Sequence, residues 1–150
     1  MAHTYTNLLI HALFSTKDRQ PALTAELQSR LFPYMAGIIT RLKARPILIN
    51  GPKDHVHVLL VLPASLPLSD LMEKLKANSS KWVHDEFPGY REFTWQVGYT
   101  AFSVSQSNLT AVKRYIAAQE EHHRKRTYQE EVIDFLREHG IEYDPRFVLD

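Results

Sequence analysis

Cysteine is absent from the 150 residues. That excludes a disulfide framework, a thiolate metal centre and a cysteine nucleophile, and it leaves nitrogen and oxygen as the ligands for any metal. Also missing is an uninterrupted apolar run of the ~18 residues that a membrane span requires. The amino terminus, MAHTYTNLLIHALFSTKDRQ, has no basic leader followed by an apolar core. A soluble, cytoplasmic protein is the expectation. No internal repeat and no low-complexity stretch interrupts the chain, so a single domain over residues 1–150 is expected.

Apolar residues make up 44% and aromatic residues 11% of the chain, enough to bury a core. The formal net charge of +1 conceals an asymmetry. Residues 1–126 carry 16 Lys and Arg against 10 Asp and Glu, whereas residues 127–150 carry 2 against 7. A basic body with an acidic end suits a phosphate-rich partner; it is equally what a solvated surface with mutually attracting ends looks like.

Periodicity predicts strands over residues 5–15, 45–50, 55–63 and 94–105. The turn GPKD joins the second and third as a hairpin. After Pro21, the spacing of Leu23, Leu27, Leu31, Ile38 and Leu42 predicts a helix with Thr24 as its N-cap, in which Pro33 marks either a kink or the first turn. Leu68, Leu71, Met72, Leu75 and Trp82 predict a second helix over residues 67–86. The order β-α-β-β-α-β is the split pattern of a ferredoxin-like α+β fold: a four-stranded antiparallel sheet with two helices on one face. Two additional C-terminal helices are predicted over residues 108–125 and 127–140, the latter ended by Gly140 in a left-handed C-cap.

Residues 54–60 read DHVHVLL. Side chains alternate across a strand, so His55 and His57 share a face and Val56 takes the other. Two imidazoles side by side make half of a metal site; a general-base pair, or plain alternation on a half-exposed strand, would give the same spacing. Asp54 either orients one imidazole or simply finishes the hairpin. On the helix at 108–125, Val112, Ile116, Gln119 and His123 fall on one stripe, with Leu109 and Tyr115 at its edges. Gln119 therefore sits within an apolar face. A buried amide without partners costs about 1–3 kcal/mol, so something polar should meet it there. Tyr115 and Gln119, four residues apart, present a phenol and an amide side by side; a core-edge tyrosine with a glutamine bonded to backbone is the alternative.

Taken together, the stretches LIHALFSTKDRQP, GPKDHVHVLLVLP, GYTAFSVSQS and VKRYIAAQEEHHRK resemble, in order and spacing, the single-tyrosine transposases of the HUH superfamily, the TnpA proteins of the insertion sequence two hundred family. HVH alone is a weak signal, but YIAAQ some sixty residues later makes it specific. The resemblance implies a transposase that binds hairpins in single-stranded DNA at element ends and performs metal-dependent cleavage and rejoining through a 5′-phosphotyrosine. His55 and His57 would bind a divalent metal, magnesium or manganese, Tyr115 would be the nucleophile and Gln119 the third metal ligand. It further implies a homodimer in which the tyrosine helix of one subunit completes the histidine pair of the other. A domesticated hairpin-binding protein without cleavage activity is the alternative, and an ordinary ferredoxin-like metal-binding domain is a third.

Basic residues that could follow phosphates are those at 41–45, Lys74, Lys76, Lys81, Lys113, Arg114 and 124–126, each cluster equally readable as a solvated face. Trp82, Trp95, Tyr99 and Phe102 offer rings for base stacking, although such spacing more often marks core.

Overall fold

Six consecutive buried residues, from His55 to Leu60, open strand β3 (His55–Leu62) and set the plan of the molecule. A strand buried on both faces must be central. β3 pairs antiparallel with β1 (Leu8–Ser15) and with β2 (Arg45–Asn50), and β1 pairs antiparallel with β4 (Thr100–Val104). The sheet order is β2-β3-β1-β4. The computed structural model describes residues 2–119 and 126–150.

Val56, Val58 and Leu60 of β3 and Ala12 and Phe14 of β1 face the main core. Helices α1 (Ala25–Arg41) and α2 (Leu68–Glu86) cover them, using stripes of Leu27, Leu31, Met35, Ile38 and Ile39, and of Leu71, Met72, Leu75 and Val83. Each such buried side chain contributes roughly 1.5–3 kcal/mol. Thr24 caps α1 by accepting the Leu27 N–H at 3.3 Å. Pro33 lies well inside α1, so it removes one ladder bond without starting or ending the helix.

The opposite face belongs to the C-terminal part. Helices α3 (Leu109–Ala117) and α4 (Tyr128–Glu138) lie there, and Tyr128, Val132 and Leu136 pack with Leu13 and Phe102 in a second core. Asn50 ties α3 to β2 by donating to the Ile116 carbonyl at 2.9 Å. Thr127 caps α4 by accepting the Glu130 N–H, and Gly140 leaves the helix at φ +65°. The β-α-β-β-α-β sheet with, among the described residues, two added helices is the expected ferredoxin-like α+β fold.

Three boundaries differ from the periodicity. β1 starts at Leu8, and Tyr5 is exposed. The fourth strand is Thr100–Val104 rather than 94–105, because residues 96–98 find other partners: the Gln96 and Gly98 groups meet the carboxyl-terminal residues, and Lys76 donates to the Val97 and Gly98 carbonyls at 2.9 and 2.8 Å. Of the helix expected at 108–125, α3 runs to Ala117 and breaks at Ala118 (φ −98°, ψ 25°), and residues 120–125 lie outside the described residues. His123 and the basic Arg124 and Lys125 lie outside the described residues. Among the described residues, no helix is long and apolar enough to cross a membrane.

Candidate active site

The pleat that sends Val56 into the main core sends His55 and His57 to the face under α4, where both are fully buried. Each ring is held at its Nδ1. His55 Nδ1 lies 2.7 Å from Asp54 Oδ1, and His57 Nδ1 lies 2.7 Å from His11 Nε2 of β1. Each ring presents its Nε2 to one shared atom, Glu131 Oε1 of α4, at 3.1 Å from both. The expectation that the pair shares a face, with Asp54 orienting one ring, is what the backbone delivers.

Burial penalises an imidazolium at His55, but the hydrogen bonds and charges of Asp54 and Glu131 outweigh it and raise its pKa above 6.5. His11 goes the other way: burial, and then the neighbouring His57, pull its pKa down to about 3, so His11 is neutral.

Tyr115, at the edge of α3, donates its phenolic O–H to the other oxygen of the same carboxylate, Glu131 Oε2, and accepts from the Arg126 guanidinium. Its ring centre is 6.0 Å from that of His57. Arg126 is in turn fixed by Asp134 at 2.6 Å. Burial raises the Tyr115 pKa, and the hydrogen bond and charge of Glu131 raise it further, while Arg126 opposes both. The phenol therefore keeps its proton for as long as Glu131 is charged beside it. A cleft of about 220 Å³ adjoins it, lined among others by His11, Asn108, Val112, Tyr115, Arg126 and Phe135.

Gln119 lies just past the break at Ala118, is fully buried and donates to the Tyr115 carbonyl at 3.2 Å. The backbone alternative raised for this residue is thus part of its environment. The carboxylate between the histidines is Glu131, which the spacing argument passed over. The signal was available: Tyr128, Glu131, Val132 and Leu136 form the buried stripe of α4, and a charged residue on such a stripe calls for partners just as Gln119 does. Arg126 was noted as one of a basic cluster and proves to be a partner of the phenol. His11 lay within a quoted stretch and received no role.

A second tyrosine lies near the pair. Tyr128 stacks at 4.5 Å on His55, yet its hydroxyl donates to Gln96 Oε1 at 3.0 Å. Gln96 Oε1 also accepts the Ser15 N–H at 2.7 Å, so this one amide fastens α4 to the end of β1. Among the aromatic residues considered for stacking, Trp95 and Phe102 are core, Tyr99 is partly buried, and Trp82 stacks on Tyr34 at 4.5 Å.

His55, His57 and Glu131 place one donor atom each within 4.8 Å of one another. Two imidazole nitrogens and a carboxylate oxygen, with both Nδ1 atoms already engaged, suit a divalent cation. Residues 4–119 match the model of a protein family described as "Transposase IS200 like". The chain belongs to the IS200-like transposases. As such it is an enzyme of DNA transposition, and the resemblance read from its motifs is borne out. It is 28% identical over 125 residues to the transposase for insertion sequence element IS200 of Salmonella typhimurium, spanning 79% of this chain and 81% of the relative, and equally to that of Salmonella typhi. Among solved structures, a candidate transposase of Deinococcus radiodurans superimposes with a TM-score of 0.66 at 23% identity, over 79% of this chain and 96% of that one. A REP-associated tyrosine transposase bound to a REP hairpin gives 0.60 at 13% identity, over 82% and 73%. Both support the transposase fold.

Proposed function

We propose that this IS200-like transposase binds hairpins in single-stranded DNA and cuts and rejoins the strand beside them, with Tyr115 as nucleophile. The supporting observation is the convergence of the Tyr115 hydroxyl and both histidine Nε2 atoms on the single carboxylate of Glu131. His55, His57 and Glu131 would hold a magnesium or manganese ion, with Gln119 as the further ligand that the family resemblance adds. The ion, when bound, supplies positive charge to phosphate oxygens and to the departing oxygen of an in-line displacement. Imidazole-rich donor sets favour transition metals, so manganese binds more tightly than magnesium.

In the reaction, the Tyr115 hydroxyl gives up its proton to solvent as its oxygen forms a bond to phosphorus, the bond from phosphorus to the 3′-oxygen breaks, and that oxygen takes a proton from solvent and leaves as a 3′-hydroxyl. The strand end remains as a 5′-phosphotyrosine. A phenol, far more acidic than a sugar hydroxyl, is a modest nucleophile and a good leaving group, so the exchange runs in both directions without an external energy source. Arg126, against the phenolic oxygen, stabilises negative charge there in either direction. Residues 1–150 act as one endonuclease domain in the cytoplasm, as a homodimer.

Incubating the protein with a pool of single-stranded hairpin oligonucleotides and manganese tests this reading. It predicts a metal-dependent, detergent-stable protein–DNA adduct and free 3′-hydroxyl ends. Hairpin binding without any cleavage, in either metal and across the pool, would replace it with the binding-only alternative.

A further inference from the structure

We infer that His11 is a positioning residue for the metal site: it accepts the His57 Nδ1–H through its own Nε2 and so keeps the His57 Nε2 lone pair aimed at the ion. This deepens the metal reading above and rests on it.

Two imidazoles meet at 2.7 Å, Nδ1 of His57 against Nε2 of His11. A contact of that length holds one proton, and it belongs to one ring or the other. Were it on His11, the His57 Nδ1 would be the acceptor and its proton would sit on Nε2, the atom that faces Glu131 and would ligate the ion. Were it on His57, the Nε2 lone pair would be free to ligate. A ligating imidazole almost always has its second nitrogen fixed by an outer acceptor, usually a carboxylate or carbonyl. His55 follows that habit with Asp54. His57 has a histidine in that place, and the geometry leaves the acceptor role to His11.

The sheet explains why the pair is rigid. His57 lies opposite Leu13, so His11, two residues earlier on the same face of β1, is its diagonal neighbour. The rings stack with centres 5.0 Å apart and planes 26° from parallel. Phe135 of α4 closes on His11 edge-on at 5.3 Å, and only 2% of His11 is exposed. The ring has little freedom to turn away from the bond.

Four proteins test this: wild type, His57→Ala as the ligand-loss control, His11→Leu, which keeps the bulk and loses the acceptor, and His11→Gln, whose side-chain carbonyl can reach the Nε2 position. Manganese affinity is measured calorimetrically, and the imidazole tautomers of the magnesium-loaded proteins are read by long-range 1H–15N correlation. Wild type should show a proton on His57 Nδ1 and none on His11 Nε2. His11→Leu should weaken manganese binding by about 10–100-fold and lose the single His57 tautomer, while circular dichroism and metal-free hairpin binding stay as in wild type. His11→Gln should recover most of the loss. Unchanged affinity in folded His11→Leu, or a wild-type His11 protonated at Nε2, would overturn the inference and leave the metal reading intact. A wild type that binds no manganese would bring down both. If His11→Leu fails to fold, the wild-type tautomer and the His11→Gln affinity decide: a folded His11→Gln that binds as weakly as His57→Ala contradicts it.

Discussion

Glu131 meets both histidine Nε2 atoms through one oxygen and takes the Tyr115 proton-side contact through the other, so a single substitution reads two functions at once. Glu131→Gln keeps the shape and removes the charge. Manganese affinity should fall roughly tenfold or more, and the Tyr115 phenol should move down toward its ordinary range, visible by ultraviolet titration; a fall in affinity with no movement of the phenol would separate the two roles. Protons compete for the same atoms. The His55 pKa is raised above 6.5 in the folded chain, so the stability that its imidazolium contributes without metal is complete below pH 6.5 and is lost as pH climbs through the raised value. Metal must displace that proton. Manganese binding should therefore tighten from about pH 6 to about pH 8 and release protons to buffer, whereas a pH-independent affinity would mean that His55 is not a ligand. At this scale the sequence was legible where strand periodicity alone decides, as for His55 and His57. It was less so for Glu131 and Arg126, whose partners come from elements distant in the chain.

α4 reaches the histidines because Gln96 holds it there. The Gln96 carbonyl oxygen accepts from the Ser15 N–H and the Tyr128 O–H, and its amide donates to the Asp150 carbonyl at 3.0 Å. Gln96→Ala would leave buried donors without partners, at a cost on the order of 2 kcal/mol. The urea midpoint should fall with an unchanged slope, and amide exchange should accelerate in α4 before it does in β3. Uniform acceleration would place Gln96 in the general core instead of at this junction. Elements with clean periods, such as β1, β3, α1 and α2, were readable from apolar spacing. The stretch from 94 to 99 also alternates, yet strand β4 begins only at Thr100, because a side-chain amide and the carboxyl-terminal backbone substitute for ladder partners. Alternation reports which side chains are buried, and it is silent on which backbone groups pair. The 108–125 helix carried the right stripe as far as Ala117, and nothing in the spacing foretold the break at Ala118.

The whole molecule is a basic body closed by an acidic end, and 127–150, with its seven carboxylates, includes the helix that lies over the histidines. Hairpin binding should weaken linearly in log–log terms as salt rises, with a slope set by the number of phosphates neutralised; a flat response would argue against phosphate contacts. In this single chain Tyr115 lies against its own histidine pair. If sites are shared between subunits, a mixed dimer of a His57→Ala subunit with a Tyr115→Phe subunit should retain one intact site and measurable cleavage, whereas assembly within one chain predicts none. Family membership was legible because HVH and YIAAQ occur at a specific distance, a constraint that a generic ferredoxin-like sheet does not impose. The central claim is that the phenol joined to the carboxylate and histidines is the one that takes the phosphate. Trapping the adduct, trimming its DNA with nuclease and mapping the modified peptide by mass spectrometry should find the 5′-phosphate on Tyr115, and Tyr115→Phe should form no adduct. A phosphate on Tyr128, which stacks on His55, or an adduct that survives Tyr115→Phe, would contradict it.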